Sequence, residues 1–203
     1  RGRDIKRYGY DWAGLYLINT HNGIKGKLER IHIEDYPAVK AHLDQYWDKI
    51  SSRADKGDTP YNLRNCAYLE DFDKPKIVYP NMTKYLPFVY EDYGFCTNQK
   101  CFIISGQTIE YLTAFFNSSL FKYCFRDSFP ELQGGTREMS KIFFENISVA
   151  QVTGEINAQF KNAVNDIQTD YSKSKAMAID AMIFNLYNLS NTERQVIGFF
   201  EIE

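Results

Sequence analysis

The apolar positions of this chain change their spacing along its length. Gly14 to Asn19 (G-L-Y-L-I-N) is a short apolar run that reads as a strand. Asp35-Tyr36-Pro37 reads as a helix start, with Asp35 as cap and Pro37 in the first turn. Val39, Leu43, Tyr46, Trp47 and Ile50 follow at helical spacing, so one helix is expected to about Ser52. Strands are expected at Lys76 to Tyr79, Leu86 to Tyr90 and Lys100 to Ser105, rich in β-branched and aromatic residues. Glu91 to Gly94 reads as a turn between them. Two helices are expected at about 108–116 and 118–126, and Ile142 to Val149 reads as a closing strand.

After Val149 the period becomes helical throughout. Ile156, Phe160, Val164, Ile167 and Tyr171 form one apolar stripe between Gly154 and Tyr171, expected to pack in a core or against a partner helix. Ala176 to Leu189 reads as a second helix, and Ser190-Asn191-Thr192-Glu193 as the capping box of a third. The expected fold class is α+β: a mixed α/β part over residues 1–150, then an all-helical segment over 151–203.

A chain that is 44% hydrophobic, with 15 Tyr and 15 Phe, has material for a core, and disorder is excluded. Most of these aromatics are expected inside. The net charge of −2 gives no bulk attraction to nucleic acid. The distribution is uneven: residues 1–30 hold seven Lys/Arg against three Asp/Glu, and residues 151–203 hold four against seven. No apolar run approaches 18 residues, so no membrane span is expected. Cys66, Cys96, Cys101 and Cys124 lack a metal-ligand spacing and read as thiols of a cytoplasmic protein. A chain that begins at Arg1 without Met reads as a piece of a longer polypeptide.

No phosphate-cradling glycine loop, dinucleotide fingerprint or nucleophile elbow occurs. His21, His32 and His42 assemble no triad. Glu70, Asp71 and Asp73 before Lys74 and Lys76 are a superficial match to a nuclease metal cluster, but Pro75 interrupts it and a solvated turn is expected. Glu91 and Asp92 read as a hairpin turn. The stretch from Thr108 to Val149 looks instead like a scaffold presenting a polar loop, Gln133-Gly134-Gly135-Thr136-Arg137.

Five segments, in this order along the chain, carry a resemblance: R-G-R-D-I-K-R-Y (1–8), L-Y-L-I (15–18), Y-N-L-R-N-C-A-Y (61–68), F-D-K-P-K-I-V-Y-P (72–80) and F-F-N-S-S-L-F-K-Y (115–123). Together with the closing I-D-A-M-I-F-N-L-Y-N-L-S-N-T-E-R-Q-V-I (179–197), they resemble the C-terminal specificity domain of TaqI-like and Eco57I-like adenine-specific DNA methyltransferases and type IIG restriction-modification enzymes. Asn188 stands where that family would have Gly, and Asn tolerates the same left-handed turn. The resemblance implies that residues 1–150 form a target recognition domain for double-stranded DNA, with residues 151–203 packed on it or on a methyltransferase domain N-terminal in the same polypeptide. It implies no catalytic residue and no cofactor in this chain. S-adenosylmethionine, with Mg2+ where cleavage is present, would belong to the parent enzyme.

Base readout needs forked donors and carboxamides on loops fixed by a scaffold. The expected readers are Gln133, Thr136 and Arg137, with Lys141 on a phosphate; then the hairpin tip Thr97, Asn98, Gln99 and Lys100; then Asn81, Thr83 and Lys84. Arg53, Lys56 and Arg64 are expected as phosphate contacts, which position without specifying. Arg3, Lys6 and Arg7 read as packing or phosphate contacts at a domain junction. The alternative is a protein-interaction module whose helical tail docks a partner subunit.

Overall fold

The computed structural model describes residues 1–201. They form two units: Arg1–Ala13 with Asp71–Glu203 in the first, and Gly14–Glu70 in the second. The first unit opens with a minimal hairpin, β1 (Ile5–Lys6) and β2 (Gly9–Tyr10).

The second unit holds helices α1 (Pro37–Asp44) and α2 (Trp47–Ser52). The single helix expected there is broken at Gln45–Tyr46, and Asp35 caps nothing; neither helix buries a residue, so no apolar face holds them in line. Gly14 to Asn19 is not a strand: Gly14 is left-handed, Leu15 to Ile18 are exposed, and no neighbouring strand pairs with them. Asn62, 1% exposed, staples this unit instead. Its Nδ2 donates to the carbonyls of His21 (3.3 Å) and Ile31 (2.9 Å), and its own carbonyl accepts from Arg53 (2.6 Å).

Back in the first unit, β3 (Lys76–Pro80) is the central strand of an antiparallel sheet, between β5 (Val89–Glu91) and β6 (Cys101–Ser105). The short β4 (Met82–Thr83) lies between β3 and β5 in sequence and pairs with β7 (Arg137–Glu138). Alternation along the strands separates two faces. Ile77, Tyr79, Phe88 and Tyr90 join the main core with helices α3 (Ile109–Asn117) and α4 (Ser119–Phe125). Val78, Val89 and Cys101 face the other way, against Ile5 and Ile103. Rings fill the main core: Phe88–Phe116 and Phe116–Phe121 centroids are each 5.1 Å apart.

The expected strand from Ile142 is a helical turn, α5 (Lys141–Phe144), followed by a turn and chain without regular structure. Phe143 and Phe144 both pack on the core while Ile142 is exposed, and adjacent strand residues could not share a face. The C-terminal helices follow: α6 (Gly154–Thr169), α7 (Lys173–Leu186) and α8 (Asn191–Ile197). Phe160, Val164 and Ile167 of the apolar stripe are buried in the first unit's own core, with Ile156 packed against it. The Ser190–Glu193 capping box is formed, and Asn188 takes the left-handed turn with φ 53°.

Two carboxamides cover the free edge of β5. Gln168 bonds both backbone groups of Tyr90 (2.8 and 3.0 Å), and Asn117 does the same for Phe88 (3.1 and 2.7 Å). An edge closed in this way offers no template for another strand.

The Asn117-Ser118-Ser119 step also gathers buried charge. Ser119 donates its backbone N–H (2.8 Å) and hydroxyl to Asp180 of α7. Arg7 donates to the carbonyls of Asn117 (2.8 Å) and Phe200 (3.0 Å), so it fastens chain inside the unit rather than standing at a surface. Lys122, 2% exposed, donates to the carbonyls of Leu86 (3.0 Å) and Phe116 (3.1 Å). Burial, with Arg7 nearby, holds its amine well below the usual 10.5, and Asp180 opposes that shift.

A depressed lysine means that the unfolded chain holds its proton to higher pH. Stability should therefore rise as pH climbs from the folded-state pKa toward 10.5, by at most about 1.4 kcal/mol per pH unit. We predict that Lys122→Met removes this rise between pH 7 and 9.5, as read by urea unfolding. An unchanged slope would mean that the rise belongs to other groups.

Candidate nucleic-acid interface

Two hydrogen bonds of one residue gather the predicted loops. Asn81 donates its backbone N–H to the carbonyl of Lys100 (3.0 Å), and its carbonyl accepts from Met139 (2.9 Å). The segments 81–84, 97–100 and 131–141 therefore converge at one end of the sheet, where β3 leaves and β6 enters. The register Met82–Glu138 and Thr83–Arg137 locks the first segment to the third.

Each predicted residue has a definite place there. Lys84 is exposed, its amine 5.6 Å from the Tyr85 ring centroid. Asn98, Gln99 and Lys100 are all exposed, and Asn98 Oδ1 accepts from the Lys100 N–H (3.1 Å). This segment is not a hairpin tip: β5 and β6 flank β3 without pairing, and 92–100 is the crossover between them. Asn81 is half-buried and Gln133 exposed. Leu132 N–H donates to the Thr136 carbonyl (2.6 Å), which closes a turn on left-handed Gly134 and Gly135 (both φ 76°). Open space surrounds both glycines, so the tip admits close approach. Lys141 is exposed and pairs with Glu145 (3.1 Å).

Arg137 differs from its expected role. Its side chain is 8% exposed, and its fork donates to the Phe129 carbonyl (2.9 Å), Asp127 (2.8 Å) and Glu131 (3.0 Å). The geometry that suits a guanine edge is engaged by the loop itself, and Arg137 braces residues 127–138. Sequence reasoning does not single out Glu131; Asp127 and Glu131, ten and six residues before Arg137, were the available signal.

Arg53 and Arg64 belong to the second unit. Arg53 braces its own loop through the carbonyls of Pro60 (3.1 Å) and Asn62 (2.6 Å), while Arg64 is exposed and pairs with Asp55 (3.2 Å). That unit has an open cleft of about 630 Å³, with Asn22, Lys25, Arg30 and Asn65 in its lining.

Two carboxylates of the Glu70, Asp71 and Asp73 cluster are engaged in ion pairs: Glu70 with Lys27 (2.6 Å) and Asp71 with Lys74 (2.7 Å). Among the described residues no three His, Cys, Asp or Glu side chains converge where a metal could be held. No described helix is long and apolar enough to cross a membrane.

The three-stranded sheet thus carries polar loops gathered at one end. Residues 1–149 match the TaqI-like C-terminal specificity domain, and the chain belongs to that family. Membership supports a role in DNA recognition. A type II methyltransferase, M.BanIII of Aneurinibacillus aneurinilyticus, is 28% identical over 91 residues, covering 43% of this chain and 16% of that protein.

Proposed function

We propose that this chain reads the target sequence of double-stranded DNA as the C-terminal specificity part of a fused type II restriction-modification enzyme. The observation that carries the reading is the convergence of three polar loops on Asn81. Asn98, Gln99 and Gln133 are the base readers, because carboxamides pair with adenine edges. Lys84, Lys100 and Lys141 are phosphate contacts, and Arg64 is one in the second unit. Arg53 and Arg137 act through the loops they brace.

In the same proposal, a methyltransferase part of the parent polypeptide modifies adenine N6 and supplies the S-adenosylmethionine site. No residue of this chain is assigned to that cofactor. Such an enzyme must take the adenine out of the stack, and the specificity part holds the duplex while it does so. The apolar stripe of α6 is used inside the first unit, so it supports no docking of a partner subunit.

Duplex binding across a salt series tests the reading. Each phosphate contact releases counterions, so Lys84→Ala with Lys100→Ala should flatten the log–log salt slope by roughly 2. The loss should be equal on all sequences. A wild-type affinity that ignores salt would refute the proposal.

A further inference from the structure

We propose that Glu131 is a base-reading acceptor, fixed by the buried guanidinium of Arg137, and that it selects cytosine through the exocyclic amine. This rests on the DNA-recognition reading above. An exposed carboxylate on a DNA-facing loop is otherwise a liability, because it repels phosphate. It becomes favourable only against a base-edge donor, and the cytosine N4 amine is the major-groove donor suited to a carboxylate.

The geometry favours Glu131 over its neighbour Asp127. Glu131 is tied twice to Arg137, by a backbone bridge between the two residues and by the side-chain pair at 3.0 Å. Asp127 lies on the preceding helical turn, 89% exposed, and reaches Arg137 through its side chain. Arg137 engages Oε2 of Glu131, and Oε1 keeps its lone pairs on a side chain that is 58% exposed. Arg137 itself has little freedom, since it is buried and also donates to the Phe129 carbonyl (2.9 Å). The acceptor is thus ordered before DNA arrives, which lowers the entropy lost on binding. Glu131 and Gln133, both exposed, lie two residues apart on the segment that leads into the open glycine tip, so an acceptor and a carboxamide are presented by the same arm of the loop.

Cytosine N4 and thymine O4 occupy equivalent places, one a donor and the other an acceptor. In Glu131→Gln the amide oxygen can keep the Arg137 bond and turn the NH2 outward. The variant should therefore exchange a preference for cytosine for one for thymine.

The test is selection of duplexes from a randomised pool by the 203-residue chain, with unfolding curves to confirm that each variant is folded. The wild type should enrich a motif containing a C·G pair. Glu131→Gln should accept T·A at that pair, with discrimination shifted about 5- to 10-fold. Glu131→Ala should lose the preference there and leave other positions unchanged. Arg137→Lys should blur that same position without the switch to thymine. If both Glu131 variants tighten binding to every duplex and leave the motif intact, the carboxylate is only repulsive and the proposal fails. If both weaken every duplex equally and unfold early, Glu131 is structural and the proposal fails. A wild type that enriches nothing overturns the DNA-recognition reading itself, and this inference with it.

Discussion

Glu91→Ala should lower the stability of the first unit by about 3–5 kcal/mol. Glu91 of β5 lies opposite Lys76 of β3 in the sheet register, and the two side chains form an ion pair. Lys76 is 0% exposed and Glu91 2%, so neither charge can turn to water. Removing the carboxylate would leave a buried ammonium with only the carbonyls of Phe72 (2.6 Å) and Lys74 (3.4 Å). It would also strip the acceptor that Glu91 gives to the N–H groups of Tyr93 (2.5 Å) and Phe95 (3.3 Å). Replacing both partners, as Lys76→Met with Glu91→Leu, should cost much less, because desolvation of the two ions disappears with their attraction. Urea unfolding of the single and double variants measures the difference. A single variant within about 1 kcal/mol of wild type would mean that Lys76 finds solvent, and would remove the pair from the account of stability.

That pair also shows where sequence reading stopped. Glu91 and Asp92 read as a turn because adjacent acids favour solvent, and nothing local points to Lys76, which is brought opposite only by sheet register. The same non-local pairing decides the candidate site. The loops at 81–84, 97–100 and 133–141 could be chosen from composition, but their convergence depends on the backbone of Asn81 and on β4 pairing with β7. Gly14 to Asn19 has a strand's composition, yet a strand exists only when paired, and here none pairs with it. Signals that act within one or two turns were legible: the Ser190–Glu193 box, the left-handed Asn188 and the stripe of α6 from Ile156 to Ile167 match their sequence patterns, while Tyr171 lies past the helix end and is exposed. Arg137 carries the fork that a base reader needs, and the fork is used, but on the loop's own acceptors Phe129, Asp127 and Glu131.

Asp180→Ala should be the second most damaging change, at about 3–4 kcal/mol. Asp180 is 3% exposed and joins α7 to the Ser119 end of α4, accepting from both the backbone and the hydroxyl of that serine. It is also the anion whose field offsets Arg7 and Lys122, both buried at the same step. The alanine variant loses the acceptors and leaves the buried Arg7 guanidinium without that anion. Asp180→Asn keeps one acceptor and drops the charge, so it should fall between alanine and wild type, which separates the two contributions. Burial raises the Asp180 carboxyl above 3.8, and the Ser119 donors and nearby cations oppose the shift. A folded state that holds the proton more tightly is favoured below the unfolded pKa and loses that advantage as pH rises through the folded value. Asp180→Asn should erase this decline in mildly acidic solution. If the asparagine variant matches wild type at neutral pH, the Ser119 hydrogen bonds carry the α4–α7 junction and the charge contributes nothing.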